Sequence, residues 1–511
     1  MSKKLFCNFP KTSSLIGDPT ASCLQKFTIH FRRPAKIKQK NNAPYRGEYG
    51  FDWLRDEYAY PIEFVEMKEI FSPNRSWDFV KKYTPLCQQP YDLKKEYLKD
   101  VKNPIKPYNK DYYPAWLAIF ACNIEGNANS PMHNKGVDLN LQLDEIDSII
   151  DDGTEIVLKP GKSCLKVNPE RIPISKFIAQ GKKTRILDQY SKEEINYYEI
   201  ENAVNVICQG GALDTHEEVK VFAKLGSTEI EVGKLMVYQN NIIPKLKVNL
   251  VSVVLEKDKN GNKIRPEYMS AINHLLNDKV LTQALIKSEL SAVQEFDMFE
   301  FVNKLEVKDE LQTFLRWIAE REKMAKEQIP HEKVNLEVDY IWKIVMDYYR
   351  KFQEVNASSK DINSYIYNED SLTIFFIGLD PVTEFLSGGT YNYPYDKHNN
   401  DVTREEEKLY QAYCFYFKRA FSDAIAIKHE LGHAMRLHHL FEKPKDEPST
   451  SNNFLFYLGY TENIMDYGFK YIDKELPSNK LVQGYNQYDK KMDSFYKWQW
   501  DKMRKSSMLK Y

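Results

Sequence analysis

The sequence lacks any Cys-x-x-Cys pair, and its seven cysteines are spread over 511 residues. An odd number of cysteines leaves at least one thiol unpaired, and a chain of this length can bury a hydrophobic core without covalent links. These features exclude the class of small secreted proteins that disulfides hold together.

Long apolar runs and long blocks of one charge sign are also lacking. The longest apolar runs, such as 372–379, are much shorter than the roughly 20 residues that a membrane-spanning helix needs. With 72 basic and 73 acidic residues the formal net charge is −1, and no basic block stands out that would attract a polyanion. We therefore expect no membrane span and no nucleic-acid partner.

A secretory signal is the next missing feature. Lys3 and Lys4 provide positive charge at the start of the chain, but Asn8, Pro10 and Lys11 interrupt the apolar segment that should follow. The sequence predicts a protein that is made in the cytoplasm without a signal peptide. Any export would then use a dedicated secretion system.

Aromatic residues, by contrast, are abundant. The chain has 34 tyrosines and 27 phenylalanines, which are typical of β-rich structure. Its length exceeds that of one hydrophobic core. We therefore expect a multidomain protein in which N-terminal β-rich modules precede an α+β domain. The predicted regions are 1–160, 161–243 and 244–511.

Residues 1–160 contain aromatic strings with interspersed glycine and proline, at 47–55 and 113–117. These strings resemble N-terminal regions of bacterial proteins associated with type VI or contractile-injection export. The resemblance implies a module that docks to an export apparatus. The alternative is an aromatic-rich β module whose tryptophan and phenylalanine side chains form its own core.

Residues 161–243 alternate between apolar and polar side chains at 218–223 and 229–237, as half-buried strands do. Gly210, Gly211 and Gly226 separate the strand-like segments. The pattern predicts a small β-sandwich.

The third region, 244–511, mixes strand and helix patterns. Apolar runs predict a buried strand at 247–255 and a central strand at 372–379. Residues 388–393 would form an edge strand beside a cleft, where a peptide could add to the sheet. Apolar spacings of three and four residues predict helices at 307–327 and 338–355. Further helices are predicted at 266–276 and 416–437.

Four of the ten histidines lie within 429–439. His429 and His433 are four residues apart, so on a helix they share one face and can bind one tetrahedral metal ion. Glu430, next to the first histidine, can reach a metal-bound water and act as its general base. This His-Glu-x-x-His pattern predicts a hydrolytic zinc site.

Two downstream features extend the pattern. His439 lies six residues after His433, where a chain that leaves the helix and doubles back brings it to the same ion. Met465 and Tyr467 belong to the string Asn-Ile-Met-Asp-Tyr-Gly at 463–468. Together, the three histidines and this Met-turn string resemble the metzincin clan of zinc metallopeptidases.

The resemblance implies a metzincin-like α+β domain over 244–511 with one catalytic zinc ion. The residues that would bind this ion are His429, His433 and His439. Glu430 would be the general base. Met465 would form a hydrophobic floor beneath the metal, and Tyr467 would stabilise the oxyanion.

One residue departs from the metzincin pattern. Arg436 stands where the clan has a glycine, which allows a left-handed backbone conformation where the helix breaks. A side chain there costs roughly 1–2 kcal/mol, less than the roughly 10 kcal/mol that zinc contributes at structural sites. A rival third ligand is Glu462, four residues before Asp466, as in the gluzincin pattern.

These features predict a zinc-dependent endopeptidase that cleaves protein or peptide substrates by glutamate-assisted attack of zinc-bound water. If residues 1–243 dock to a type VI or contractile-injection apparatus, the protease would be its payload, as a secreted effector or toxin. The alternative is a catalytically impaired, zinc-stabilised binding protein of such an apparatus, for which Arg436 is the support.

Overall fold

The computed structural model describes residues 22–70, 76–122, 131–266, 271–306, 308–325, 334–356, 371–379, 388–395, 409–442, 454–467 and 491–511. Within these residues the protein is mixed α/β. It has two large sheets, of eleven and seven strands, and three sheets of two strands.

The strands of the described residues are numbered in chain order. They are β1 (Phe27–Arg32), β2 (Lys36–Ile37), β3 (Ala43–Pro44), β4 (Gly50–Asp52), β5 (Ile62–Ile70), β6 (Ser76–Thr84), β7 (Ala115–Ala118), β8 (Val137–Glu145), β9 (Glu155–Pro160), β10 (Leu165–Asn168), β11 (Arg171–Pro173), β12 (Lys183–Asp188), β13 (Glu193–Cys208), β14 (Glu217–Leu225), β15 (Thr228–Val237), β16 (Lys245–Val254), β17 (Glu256–Lys257), β18 (Lys263–Ile264), β19 (Lys287–Leu290), β20 (Gln294–Asp297), β21 (Ser371–Ile377), β22 (Gly388–Tyr395), β23 (Leu409–Phe417) and β24 (Leu509–Lys510).

The α-helices are α1 (Asp56–Ala59), α2 (Pro90–Leu98), α3 (Pro131–Lys135), α4 (Ile174–Ile178), α5 (Ile272–Leu275), α6 (Met298–Phe301), α7 (Asp309–Ala325), α8 (Val334–Asn356), α9 (Ala424–Ala434) and α10 (Lys497–Met503). The helices predicted at 307–327 and 338–355 are confirmed as α7 and α8. Of the helix predicted at 266–276, α5 and the π-helical turn that follows it are seen in the described part. No helix among the described residues combines the length and apolar character needed to cross a bilayer.

The eleven-stranded sheet is built from the N-terminal half of the chain. Its order is β10-β13-β8-β1-β15-β14-β9-β11, with β12 on β13, β7 on β15 and β4 on β7. In β14 the alternate side chains Val219, Val221 and Ala223 are buried, as the period of two requires. One core of side chains between Cys23 and Val237 lies against the sheet. Strands from both sides of residue 160 therefore belong to one sheet.

The seven-stranded sheet has the order β19-β16-β21-β23-β22, and β20 and β24 also pair with β16. β16, β21 and β23 run parallel, whereas β22 is antiparallel to β23 at the edge. The buried strand predicted at 247–255 is thus confirmed as β16 and the central strand at 372–379 as β21. The edge strand predicted at 388–393 is β22.

Helices cover both faces of this second sheet. Phe375 and Ile377 of β21 pack in one core with α7 and α8. Ile374 and Phe376 pack on the opposite face, in the core that includes α9. A parallel strand that is covered on both faces reads as a continuous apolar run, which explains why β21 shows no alternation in the sequence.

The helix predicted at 416–437 is wrong in its first part. The chain up to Phe417 is β23, a 3-10 turn follows, and α9 begins at Ala424. The buried aromatic run at the end of β23 favours a strand between β21 and β22. Asp423 then starts the helix, because its carboxylate accepts hydrogen bonds from the backbone N–H groups of Ile425 and Ala426.

The two large sheets share a hydrophobic core. Tyr58, Trp116 and Met236 from the N-terminal half pack in one cluster with Leu246 and Trp500 from the C-terminal half. Burial of large side chains is the main favourable contribution to folding. The two halves therefore stabilise each other through buried apolar contacts.

Buried ion pairs join the same two halves. The carboxylate of Glu462 accepts hydrogen bonds from the guanidinium groups of Arg33, at 2.6 Å, and Arg55. The ammonium group of Lys428 on α9 donates to the carboxylate of Asp493 and, at 3.1 Å, to the backbone carbonyl of Arg46. A buried charge that loses its partner is strongly destabilising, so the carboxylate of Glu462 depends on the two N-terminal arginines.

Candidate metal centre

Helix α9 carries the first two histidines of the motif. The Nε2 atoms of His429 and His433, one turn apart, are separated by 3.1 Å. Between them lies Gly432, where any Cβ atom would be 2.3 Å from the Sδ atom of Met465. The glycine is therefore needed for the Met465 side chain to pack directly against the helix.

The chain turns back at the end of α9. The N–H of Leu437 donates to the carbonyl of Gly432 at 3.0 Å, and the N–H of Arg436 donates to that of His433 at 2.9 Å. These are the paired hydrogen bonds of a Schellman motif. Arg436 has a φ of 66°, so the arginine adopts the left-handed conformation that the metzincin glycine would provide. The turn thus forms with arginine and carries His439 back to the helix.

Arg436→Gly and Arg436→Val are expected to differ sharply in stability. Glycine adopts a φ of 66° without strain, whereas a β-branched residue is strongly disfavoured there. We expect R436G to remain within about 1 kcal/mol of the natural chain and R436V to lose about 2 kcal/mol or more. Denaturant unfolding measures both free energies, and equal values would contradict the strained turn.

The three histidine side chains meet at one point. The Nε2 atoms of His429 and His439 are 3.0 Å apart, and that of His433 is 3.1 Å from each. A tetrahedral zinc ion with Zn–N bonds of about 2.0–2.1 Å needs ligand nitrogens roughly 3.3 Å apart. The three histidines can therefore hold a metal ion.

The other ring nitrogens determine the tautomers of the two helical histidines. Nδ1 of His429 lies 2.8 Å from the carbonyl oxygen of Ile464. Nδ1 of His433 lies 2.8 Å from the carbonyl oxygen of Leu437. Because a carbonyl oxygen only accepts hydrogen bonds, each Nδ1 carries the proton and each neutral imidazole presents an unprotonated Nε2.

The Nδ1 atom of His439 contacts a carboxylate instead of a backbone carbonyl oxygen. Its Nδ1 lies 2.8 Å from Oε2 of Glu442, which accepts the hydrogen bond. The unprotonated Nε2 atoms of His429 and His433 face the Nε2 atom of His439, an arrangement that a cation among them would stabilise. Burial lowers the pKa of His429, to about 4, and also that of His433, so both are neutral ligands at neutral pH.

Glu430 lies on α9 beside the histidine group. The hydroxyl of Thr390, on the edge strand β22, is 2.9 Å from Oε2 of Glu430. Burial raises the pKa of Glu430 to about 7, and the hydrogen bond from Thr390 opposes this rise. A carboxyl group with such a pKa can accept and return a proton near neutral pH.

The predicted Met-turn residues also lie at the site. Met465 is fully buried against Gly432. The ring centroid of Tyr467 lies 5.6 Å from that of His429 and 4.9 Å from that of His439. Burial raises the pKa of Tyr467 to about 12, so its phenol remains a hydrogen-bond donor at neutral pH.

The side chain of Asp466, within the Met-turn string itself, holds this segment in place. The carboxylate of Asp466 accepts backbone hydrogen bonds of 2.8–2.9 Å from Gly459, Thr461 and Tyr467. Glu462, the rival third ligand, is instead held by Arg33 and Arg55. The metal-binding group found in the described residues consists of the three histidines alone.

Thr390 and Glu442 are the site residues that the sequence patterns did not single out. Thr390 lies within the predicted edge strand, but its contact with Glu430 spans 40 residues of sequence. Glu442 follows His439 by three residues in a loop, where helical spacing rules do not apply. Neither contact has a local sequence signal.

Comparisons with known proteins gave no match: no family model, no curated protein and no solved structure is similar to this chain. The function therefore has to be inferred from the chemistry of the site.

Proposed function

We propose that this protein is a zinc-dependent endopeptidase. The observation that carries the proposal is the convergence of the Nε2 atoms of His429, His433 and His439, 3.0–3.1 Å apart, beside Glu430 on helix α9. Three imidazoles leave the fourth position of a tetrahedral zinc open, as in catalytic sites, whereas structural sites are closed by four protein ligands. A structural site would also have no need of Glu430.

The site offers a candidate group for each step of peptide-bond hydrolysis. Zinc, when bound, would polarise the substrate carbonyl and lower the pKa of a water to about 7. Glu430 would accept the proton of the attacking water and then deliver it to the leaving amine. The phenol of Tyr467 would donate a hydrogen bond to the oxyanion that develops on the substrate carbonyl.

The surrounding fold supports a relationship to the metzincin clan. A mixed sheet with a central strand and an antiparallel edge strand precedes the histidine helix α9, and the Met-turn segment follows it. This is the order that the sequence resemblance implies. The left-handed Arg436 supports it further, because the backbone adopts the conformation for which the clan uses glycine.

The substrate would be an extended peptide. In the described residues, β22 pairs with β23 on one side and forms the edge of the sheet. The free edge of a strand offers N–H and C=O groups to which a peptide can add as a further strand. Because Thr390 of β22 contacts Glu430, such a peptide would lie next to the proposed catalytic groups.

His439→Ala is expected to lose the zinc ion. The natural chain should contain about one zinc per molecule after dialysis, since three imidazoles form a complete ligand set. The variant keeps only the two helical histidines and should contain much less than one zinc, with no measurable peptide hydrolysis. Elemental analysis and a peptide-cleavage assay measure the two properties on the same samples.

His438→Ala is the matched control, because His438 is adjacent in sequence but does not belong to the metal-binding group. It should keep both zinc and activity. If H439A retains zinc, a residue other than His439 is the third ligand. Absence of zinc from the natural chain would reject the proposed function.

The alternative, a catalytically impaired, zinc-stabilised binding protein of an export apparatus, stays a hypothesis. It rests on Arg436, and the turn that brings His439 to the other histidines forms with this arginine. Delivery by a type VI or contractile-injection apparatus, with the protease as an effector or toxin, stays a prediction.

A further inference from the structure

Among the described residues of the edge strand β22, Thr390 is the one whose side chain forms a hydrogen bond with the carboxylate of the proposed base. Its Oγ1 atom lies 2.9 Å from Oε2 of Glu430 and 2.8 Å from the backbone carbonyl oxygen of the same residue. Both oxygens accept from Thr390, so the one hydrogen of the hydroxyl is shared between the carboxylate and the backbone carbonyl of Glu430. The single hydroxyl group therefore fixes the carboxylate relative to its own backbone.

The strand before Thr390 is shaped for this contact. A Cβ atom at Gly388 would lie 2.8 Å from the carbonyl oxygen of Phe415, and one at Gly389 would lie 2.0 Å from the ring of Trp342. Two consecutive glycines thus let β22 pack closely between α8 and α9. This close approach brings the Thr390 hydroxyl to Glu430.

Among the described residues, the carboxylate of Glu430 has few hydrogen-bond partners. Within the described residues, the hydrogen bonds recorded for its carboxylate come from Thr390. The neighbouring thiol of Cys414 contacts the Thr390 hydroxyl at 3.5 Å and the Glu430 backbone carbonyl at 3.7 Å, but not the carboxylate. The rotamer of Glu430 therefore depends on one hydroxyl group.

We propose that Thr390 is a positioning residue, which holds the carboxylate of Glu430 for proton transfer at the histidine site. The proposal rests on the proposed peptidase function. It also links two parts of that function, because the strand that would receive the peptide is the strand that holds the base. Thr390 would act through Glu430 and would not itself bind zinc.

Thr390→Val and Thr390→Ser test the proposal in the full-length protein. Valine keeps the branched shape and removes the hydroxyl, whereas serine keeps the hydroxyl. We expect T390V to lower kcat for a peptide substrate about 100-fold, since a displacement of about 1 Å at a catalytic group has effects of this size. KM and zinc content should stay unchanged, and T390S should retain kcat within about threefold.

The outcomes separate the role of Thr390 from the function itself. Equal kcat in T390V and the natural chain would overturn the positioning role while leaving the peptidase proposal intact. A T390S variant as slow as T390V, or loss of zinc from T390V, would show that Thr390 supports only the local packing, and would also overturn it. Absence of zinc-dependent hydrolysis in the natural chain would remove both proposals together.

Discussion

Replacing Glu430 by glutamine is expected to lower kcat for peptide hydrolysis about 1,000-fold, which corresponds to about 4 kcal/mol of transition-state stabilisation. Glutamine has nearly the same shape, and its amide oxygen still accepts the hydrogen bond from Thr390, but it cannot take a proton from water. The zinc content should not change, because Glu430 is not part of the metal-binding group. Steady-state kinetics and elemental analysis measure the two properties.

Glu442→Gln provides the matched substitution near the same site. Its amide oxygen can still accept the hydrogen bond from Nδ1 of His439, and the Glu442 side chain is 62% exposed. We therefore expect E442Q to lose at most about tenfold in kcat, the low end of the cost of substituting a hydrogen-bond partner of a metal ligand. Near-normal turnover in E430Q, or equal losses in the two variants, would contradict the assignment of Glu430 as the base.

The sequence predicted those parts of the site that depend on short-range geometry. His429 and His433 share a helical face because they are four residues apart, and Glu430 is adjacent to the first of them. The position of His439 depends on one backbone conformation, at Arg436, which a single residue can adopt at modest cost. Each of these relations is contained within a few residues of sequence.

The parts that the sequence did not predict depend on which distant segments pair. The contact between Thr390 and Glu430 requires β22 to pair with β23, and which strands pair depends on segments that are far apart in the sequence. Glu462 matched the gluzincin spacing with Asp466, but its carboxylate is held by Arg33 and Arg55, which are more than 400 residues away in sequence. Similarly, the sequence predicted that the helix begins at residue 416, whereas the pairing with β21 makes the residues up to Phe417 part of strand β23.

The packing between the halves changes how the export hypothesis can be tested. Trp116 of the N-terminal half and Trp500 of the C-terminal half belong to one buried cluster. A fragment of residues 1–243 would expose this apolar surface and would bind other proteins nonspecifically. Association of an export apparatus with the chain should therefore be measured on the full-length protein.

Replacing Arg55 by methionine in the full chain is expected to lower the free energy of unfolding by about 3–5 kcal/mol. The Arg55 side chain is 4% exposed and donates to Asp52, at 3.0 Å, and to Glu462. Methionine fills much of the same volume but leaves both buried carboxylates without this partner. Denaturant unfolding of the variant and the natural chain measures the difference.

An exposed ion pair provides the control. Arg171 lies 3.0 Å from Glu155, and the two side chains are 58% and 40% exposed, so R171M should change stability by less than about 1 kcal/mol. A loss in R55M no larger than in R171M would mean that the N-terminal arginine does not stabilise the segment around Glu462, and residues 1–243 would then be candidates for a separable module. A loss of the expected size means that Arg55 stabilises the buried carboxylates of Asp52 and Glu462, one from each half of the chain. Association with an export apparatus would then have to be tested with both halves present.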